Sequence, residues 1–381
     1  MAFIDRMLKH GKTTMRNNLT FFILGGYGGA GFPIARLLLQ ETPHQVVIAG
    51  RSLKRAQEAA NQLNNTFSGE RALAKRADAT DEASLREAVQ SANVMVSCTS
   101  ATEHALTVAR VALENGMDYL DVHYPHSVWK DLQTLELKIL EKKRLFITQA
   151  GFHPGLPAAF IRALAPDFDE CDRATVGMLM KIRDVGTVSS AGELVDGIGD
   201  YRAWVYRNGG WKKATWQDRV KIDFGPEYGV QTCMPLWFEE MRSLPEAFGL
   251  KETGTYVAGF NGFVDNVLSP LIMGLYKIRK GLGRKLLSKL LIWGSNTFTS
   301  PPLGVWFTTE ISGRRNGQPH SNRILAFHPD AYEMTAIPAV ACLLQYASGV
   351  LHQTGLHLMG HAVNPQTLLQ DMTRMGVKIT N

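Results

Sequence analysis

Two groups of residues in this 381-residue sequence could handle a proton: Asp121, His123, Tyr124 and His126 in one run, and His153 within Gly151-Phe152-His153-Pro154-Gly155. Histidine gives and takes a proton near neutral pH, and a neighbouring carboxylate such as Asp121 would fix its tautomer. Tyrosine is the other usual donor. His153 and Tyr124 therefore lead the candidate catalytic residues, with His123 and Asp121 behind them. The plainer fate of each is a packed, hydrogen-bonded side chain. His123 and His126, at i and i+3, lack a Cys or carboxylate at ligand spacing, so no metal is expected.

A proton donor becomes informative beside a carrier of hydride, and the glycines point to one. Gly25-Gly26-Tyr27-Gly28-Gly29-Ala30-Gly31 follows an apolar run, and Gly26, Gly28 and Gly31 fit G-x-G-x-x-G with a helix beginning there. Missing side chains let a pyrophosphate approach the backbone from Gly26 through Tyr27, Gly28, Gly29 and Ala30 to Gly31, at a helix N-terminus. A plain chain reversal would use glycines too. The next apolar run ends in Gly50-Arg51-Ser52, where an NAD site would place an acid on the ribose 2′-hydroxyl. Arg51 instead suits a 2′-phosphate, with Ser52 and Lys54 or Arg55 adding donors, so NADP(H) is the expected cofactor. Asp78, with Ala79, fits either the adenine edge or a helix N-cap region. Cys98, Thr99 and Ser100 are small hydrogen-bonding residues where the nicotinamide half would lie, and Gly151 and Phe152 are placed beside it.

These residues need strand ends to hold them. From Thr20 to Thr148 short β-rich runs alternate with helical patterns, predicting strands at Leu19–Leu24, Gln45–Ala49, Ala72–Arg76, Val94–Cys98, Tyr119–Val122 and Leu145–Thr148. The expected fold is α/β: a Rossmann-type doubly wound parallel sheet over 20–151, after an N-terminal extension over 1–19. Residues 152–331 read as a second α/β domain with a mixed sheet, for substrate and dimerisation, with hairpin turns at Arg207-Asn208-Gly209-Gly210 and Arg315-Asn316-Gly317. Residues 332–381 read as C-terminal helices, Tyr332–Ala347 first, returning to the first domain.

Composition bounds the rest. Hydrophobic residues at 45% and charged residues at 20% exclude a disordered or fibrous chain. The four cysteines lie far apart without a CxxC pair, which argues for reduced thiols in a cytoplasmic setting. No charged residue falls between Met334 and Gln370, yet Pro338 and several glycines interrupt that stretch, so it reads as a buried helix rather than a membrane span. The net charge of +6 equals the six basic residues between Asp265 and Glu310, where no acid occurs. There Leu275, Ile278, Leu282, Leu286 and Leu290 fall at helical spacing opposite the lysines and arginines. Segment 268–295 thus reads either as a peripheral membrane contact or as a surface helix or dimer seam. Nucleic acid is not expected, since aromatic interleaving is absent.

The chain resembles the saccharopine dehydrogenase family, in particular its saccharopine-dehydrogenase-like branch. The resemblance rests on the glycine loop, Gly50-Arg51-Ser52, Tyr119-Leu120-Asp121-Val122, Gly151-Phe152-His153-Pro154-Gly155-Leu156-Pro157 and Tyr332-Glu333-Met334-Thr335-Ala336-Ile337-Pro338-Ala339-Val340. It implies an NADP-binding oxidoreductase, a homodimer, that moves hydride to or from a C=N bond in an amino-acid conjugate or a C=C bond in an enoyl, lipid-like substrate. His153 stands where relatives often carry Asp. That departure keeps a second reading open: a non-catalytic dinucleotide-binding sensor or membrane-surface adaptor on the same scaffold.

Overall fold

The structure, a computed structural model, describes residues 18–183 and 185–380. Most of the N-terminal extension expected over 1–19 lies outside the described residues. Six strands alternate with helices from the start: β1 Thr20–Leu24, β2 Gln45–Gly50, β3 Ala72–Arg76, β4 Val94–Ser97, β5 Asp118–Asp121 and β6 Leu145–Thr148. The chain continues through β7 Glu170–Lys181, β8 Trp204–Arg207, β9 Gly210–Lys213, β10 Val220–Asp223, β11 Val230–Leu236 and β12 Glu252–Ala258. After two helices come β13 Gly304–Arg315 and β14 Gln318–His328, the helix Ala331–Ala347, β15 Gly355–Leu358 and β16 Lys378–Thr380. The chain divides into two compact units, one holding residues up to Ala159 with Tyr332–Gly376, the other Phe160–Ala331 with the residues from Val377.

In the first unit the strand order is β15-β6-β5-β4-β1-β2-β3, and every pairing is parallel. Both faces of such a sheet are covered by crossover helices, which is why β1 reads Thr-Phe-Phe-Ile-Leu without alternation and buries Phe21, Phe22 and Ile23 completely. The order turns back between β1 and β4, the switch point where an open α/β sheet opens a ligand crevice beyond its strand ends. Side chains mark the helix starts: Ser52 Oγ accepts from Arg55 N–H, and Asp81 accepts from Ser84 N–H. The sequence predicts six strands; the seventh, β15, comes from the C-terminal region and pairs with β6. Four residues, Gly-Leu-His-Leu, are too few for a period to register.

The helix Ala331–Ala347 buries nearly every residue from Met334 onward, Pro338 included. It is fastened at both ends within the first unit. Arg36, on the helix Gly31–Glu41, donates to both oxygens of Glu333 at 2.8 Å, and Tyr346 donates to Asp118 at 2.7 Å.

The second unit holds a nine-stranded mixed sheet ordered β10-β11-β12-β7-β13-β14-β16, with β8 on β12 and β9 on β8; only β12 and β7 run parallel. Two of its hairpins are the Asn-Gly turns legible in the sequence. Asn208 and Gly209 have φ of 50° and 74°, Asn316 and Gly317 have 51° and 73°, and both pairs close two-residue loops of the type such dipeptides favour. The residues from Val377 depart from the expected C-terminal path. Gly376, at φ 111°, turns the chain, and β16 then pairs antiparallel with β14, satisfying the edge of that sheet.

The basic segment also departs from the expected helix. Gly281 and Gly283, at φ 78° and 72°, break it into the helices Ser269–Ile278 and Arg284–Phe298, which shifts the helical phase across the break. The buried face is therefore Ile272, Tyr276, Leu287 and Leu291, while Ile278 and Leu286 of the expected stripe are 77% and 63% exposed.

Candidate active site at the carboxyl edge of the parallel sheet

The glycine turn after β1 is built on backbone contacts. Gly25 takes φ 83°, and a Cβ there would lie 2.8 Å from the Cys98 carbonyl oxygen beyond β4. A Cβ on Gly31 would lie 2.3 Å from the Gly25 carbonyl oxygen, so the helix Gly31–Glu41 reaches the strand only because that position is bare. The residue that makes the tight turn is therefore Gly25, which the chosen spacing Gly26, Gly28, Gly31 leaves out. A Cβ on Gly26 would lie 2.8 Å from the Ile23 carbonyl oxygen, so Gly25 joins the predicted Gly26, Gly28 and Gly31 as a bare position of this turn. Gly25, Gly26 and Gly28 donate their amides back to Ala49, Ile23 and Gly25 carbonyls. The amides at the start of the helix, around Gly29 to Gly31, are those that helix geometry leaves without an intrahelical acceptor, which suits an anion.

Two tyrosine rings close over this turn. Tyr332, at the start of the helix Ala331–Ala347, lies so close to Gly29 that a Cβ there would meet its ring at 2.4 Å. Tyr27 covers Gly50 in the same way, at 2.6 Å, and its hydroxyl accepts from Ser52 N–H at 3.1 Å. Arg55 stacks on the Tyr27 ring, 4.6 Å from its centroid. Arg51 and Arg76, at the ends of neighbouring strands, both act on Asp78, whose carboxyl is held below its ordinary value first by the Thr80 amide, then by the Thr80 hydroxyl and the two arginines. Asp78 accepts from Thr80 N–H at 3.0 Å and from its hydroxyl at 2.9 Å, both through one carboxylate oxygen, and Ala79 beside it is buried. Arg76 is a second cation near Arg51 that sequence reading passes over, because nothing but strand pairing brings it there.

At the other end of the edge the candidate catalytic residues fall into two groups. Tyr124 and His153 come together, ring centroids 5.6 Å apart, with Phe152 against the imidazole at 3.8 Å. Burial pushes the Tyr124 phenol up to about 12 and the His153 imidazole down to about 4, so both are neutral at pH 7. Their loop depends on Gly155, at φ 125°, where a Cβ would meet the Gly151 carbonyl oxygen at 2.4 Å and the Met359 side chain at 2.6 Å.

Asp121 and His123 lie instead in a buried cluster. Asp121 Oδ1 accepts from the amides of His123 and Gln149, both at 3.0 Å, and from the Thr148 hydroxyl at 2.9 Å. Gln149 is held at φ 59° to make this contact. His123 Nε2 lies 3.3 Å from Ser97 Oγ, while its Nδ1 stands 3.8 Å from Asp121 Oδ1, beyond hydrogen-bond reach. The expectation that Asp121 fixes the tautomer of a catalytic histidine therefore fails. Asp121 ends β5, and its acceptor oxygen is taken up by the backbone that joins the loops after β5 and β6. Tyr119 completes the cluster, its phenol raised well above the ordinary value by burial and then by the Asp121 charge.

Between the two ends lies the β4 turn. Cys98 donates its amide to Leu24 at 2.8 Å, and burial, then Asp121, pushes its thiol up, so it is no thiolate. Thr99 Oγ1 accepts from Ala101 N–H at 3.1 Å, a turn-capping role, and Ser100 beside it is exposed. Among the described residues no group of three or more His, Cys, Asp and Glu side chains is arranged to hold a metal.

Residues 21–146 match the model of the saccharopine dehydrogenase NADP binding domain. That match gives the first unit its type, an NADP-binding domain similar to that of saccharopine dehydrogenase. In fold the chain is similar to apo saccharopine dehydrogenase (L-Glu forming) from Saccharomyces cerevisiae, with 12% identity, 95% of this chain and 99% of that one covered, and a TM-score of 0.68. It is also similar to the DAP dehydrogenase of C. glutamicum in complex with DAP, at 13% identity, 94% and 99% coverage and a TM-score of 0.47. No curated protein matches the chain.

Proposed function

We propose that this chain is an NADP-dependent oxidoreductase of the saccharopine-dehydrogenase-like kind that moves hydride between NADP(H) and a C=N or C=C bond of a small molecule, an amino-acid conjugate or a lipid-like enoyl compound, with Tyr124 and His153 managing the charge that develops. The observation that carries this reading is the meeting of those two rings, both neutral, at the end of a sheet whose other end carries the dinucleotide turn.

The residues present fit NADP(H). Gly25 and Gly31 form a cradle that side chains would fill, the start of the helix Gly31–Glu41 offers amides to a pyrophosphate, and Arg51 and Arg76 stand at strand ends with no acid at Gly50. When bound, the nicotinamide supplies or accepts the hydride.

The protein's own part follows from charge. Reduction of a polarised double bond leaves negative charge on the atom that does not receive hydride, and that atom needs a donor. The Tyr124 phenol, kept protonated by burial, donates its O–H toward that atom, and a neutral His153 offers one N–H donor and one acceptor. Neither brings a full charge to desolvate, and Phe152 lies against the imidazole. Asp121 and His123, buried with Ser97 and Thr148, act as positioning residues that hold the β5 and β6 loops in register.

The test is Tyr124→Phe in an NADPH-oxidation screen over imine and enoyl substrates. The expected result is NADPH affinity close to wild type with turnover lowered about 100-fold. Wild-type turnover in both Tyr124→Phe and His153→Gln would remove the pair from the chemistry. NADPH binding without turnover of any imine or enoyl substrate would favour the non-catalytic sensor.

A further inference from the structure

The helices Ser269–Ile278 and Arg284–Phe298 carry the densest exposed apolar surface among the described residues. Of fifteen exposed large hydrophobic side chains, seven lie between Val267 and Phe298. They are not leftovers of a core. Each helix already buries an inner face, Ile272 and Tyr276 on one and Leu287 and Leu291 on the other, against Ala191 and Val195 of the helix Val188–Gly199. On the outer side Val267, Leu271 and Ile278 follow at i, i+4 and i+11, and Leu286 and Trp293 at i and i+7, so each helix shows an outward stripe. Ile278 and Leu286, the most exposed of the set, flank the turn that joins the helices.

Charge accompanies these stripes. Arg284 and Lys280 are tied to Asp196 and Asp200 at 2.7 Å and 3.1 Å. Lys277, Arg279, Lys285 and Lys289 are exposed and make no ion pair among the described residues. The centre of a protein–protein interface is depleted of lysine, and nucleic-acid interfaces are predominantly polar. Apolar anchors and tryptophan interleaved with unpaired lysines and arginines, with no acid among them, match one partner in both chemistry and sign: a bilayer surface bearing anionic headgroups.

We propose that the tip of this helical hairpin, residues 277–286, with Leu271 and Trp293 on its outward stripes, docks the protein on an anionic lipid surface. The proposal stands independently of the reaction. Ile278 and Leu286 enter the boundary between headgroups and acyl chains, while Lys277, Arg279, Lys285 and Lys289 meet the headgroup charge.

The experiment is co-sedimentation of the full-length protein with vesicles of phosphatidylcholine alone or with phosphatidylserine, at low and high salt. Wild type is expected to sediment with the serine-containing vesicles and to release at high salt. Ile278→Glu with Leu286→Glu should lower binding at least about tenfold, with NADPH affinity and circular dichroism unchanged. Lys285→Gln with Lys289→Gln, which keeps the apolar tip, should also lower it about tenfold. Failure of wild type to sediment, or equal sedimentation of the apolar double variant, overturns the proposal. So does light scattering in which wild type is a dimer and that variant a monomer, which would assign the face to a second copy of the chain.

Discussion

At the β1–β3 end of the parallel sheet the site is made of backbone and exposed cations, whereas at the β4–β6 end it is made of side chains, buried at Asp121 and His123 and half-buried at Tyr124 and His153. On the proposed reading the first end would recognise groups common to every molecule of its cofactor, phosphates and a ribose, through missing Cβ atoms at Gly25 and Gly31 and through Arg51 and Arg76. The second end, on the same proposal, would meet one reacting bond, and there burial shifts ordinary residues: Tyr124 upward, His153 downward. Residue type conveys most of what the first end does. At the second end it conveys which atoms are available but not their protonation.

That contrast can be broken at its backbone end with the largest effect. Gly31→Ala would put a Cβ 2.3 Å from the Gly25 carbonyl oxygen, where only backbone movement makes room. The expected outcome is NADPH affinity reduced about 100-fold, together with roughly 1–3 kcal/mol of lost stability, read by fluorescence titration and urea unfolding. An alanine protein that binds NADPH normally would show that the turn is not the cofactor's cradle.

The buried end is sharpened by pH. The folded-state pKa of His153 is lowered to about 4, below its unfolded value, so the stability contributed by the neutral ring is fully present above about pH 6.5. It is lost as pH falls through the folded value. Wild type should therefore lose more stability than His153→Gln between pH 7 and pH 4.5 in urea unfolding; parallel losses would mean an imidazole that titrates like one in water. The smallest effect belongs to Tyr332, whose ring lies over Gly29. Tyr332→Leu is expected to loosen NADPH about threefold, and an unchanged affinity would detach the returning helix from cofactor binding.

The six strands from β1 to β6 are legible in the sequence to within a residue, because parallel strands buried on both faces are written as short apolar runs between helical patterns, and only the edge strand β3 is half-exposed among them. The Asn208-Gly209 and Asn316-Gly317 turns are legible for a local reason, since few other dipeptides accept two positive φ values in succession. What escapes is set by tertiary pairing or by phase. β15 is four residues long, Arg76 comes near Arg51 only through the β2–β3 register, and Gly281 and Gly283 put the basic segment's two halves out of helical phase. At the site, the residue types around Tyr124 and His153 could be named from sequence. The separation of Asp121 and His123 into a buried cluster could not, since it depends on Asp121 ending its strand one residue before the loop.

The central claim is that the β1–β3 end selects NADP(H) by cations at strand ends, and a titration of the purified protein with NADPH and with NADH, for wild type and Arg51→Ala, tests it most directly. Wild type is expected to bind NADPH at least about tenfold more tightly than NADH, and Arg51→Ala to remove most of that preference while leaving NADH affinity unchanged. Equal affinity of wild type for the two nucleotides, or a preference that survives in Arg51→Ala, would contradict the account.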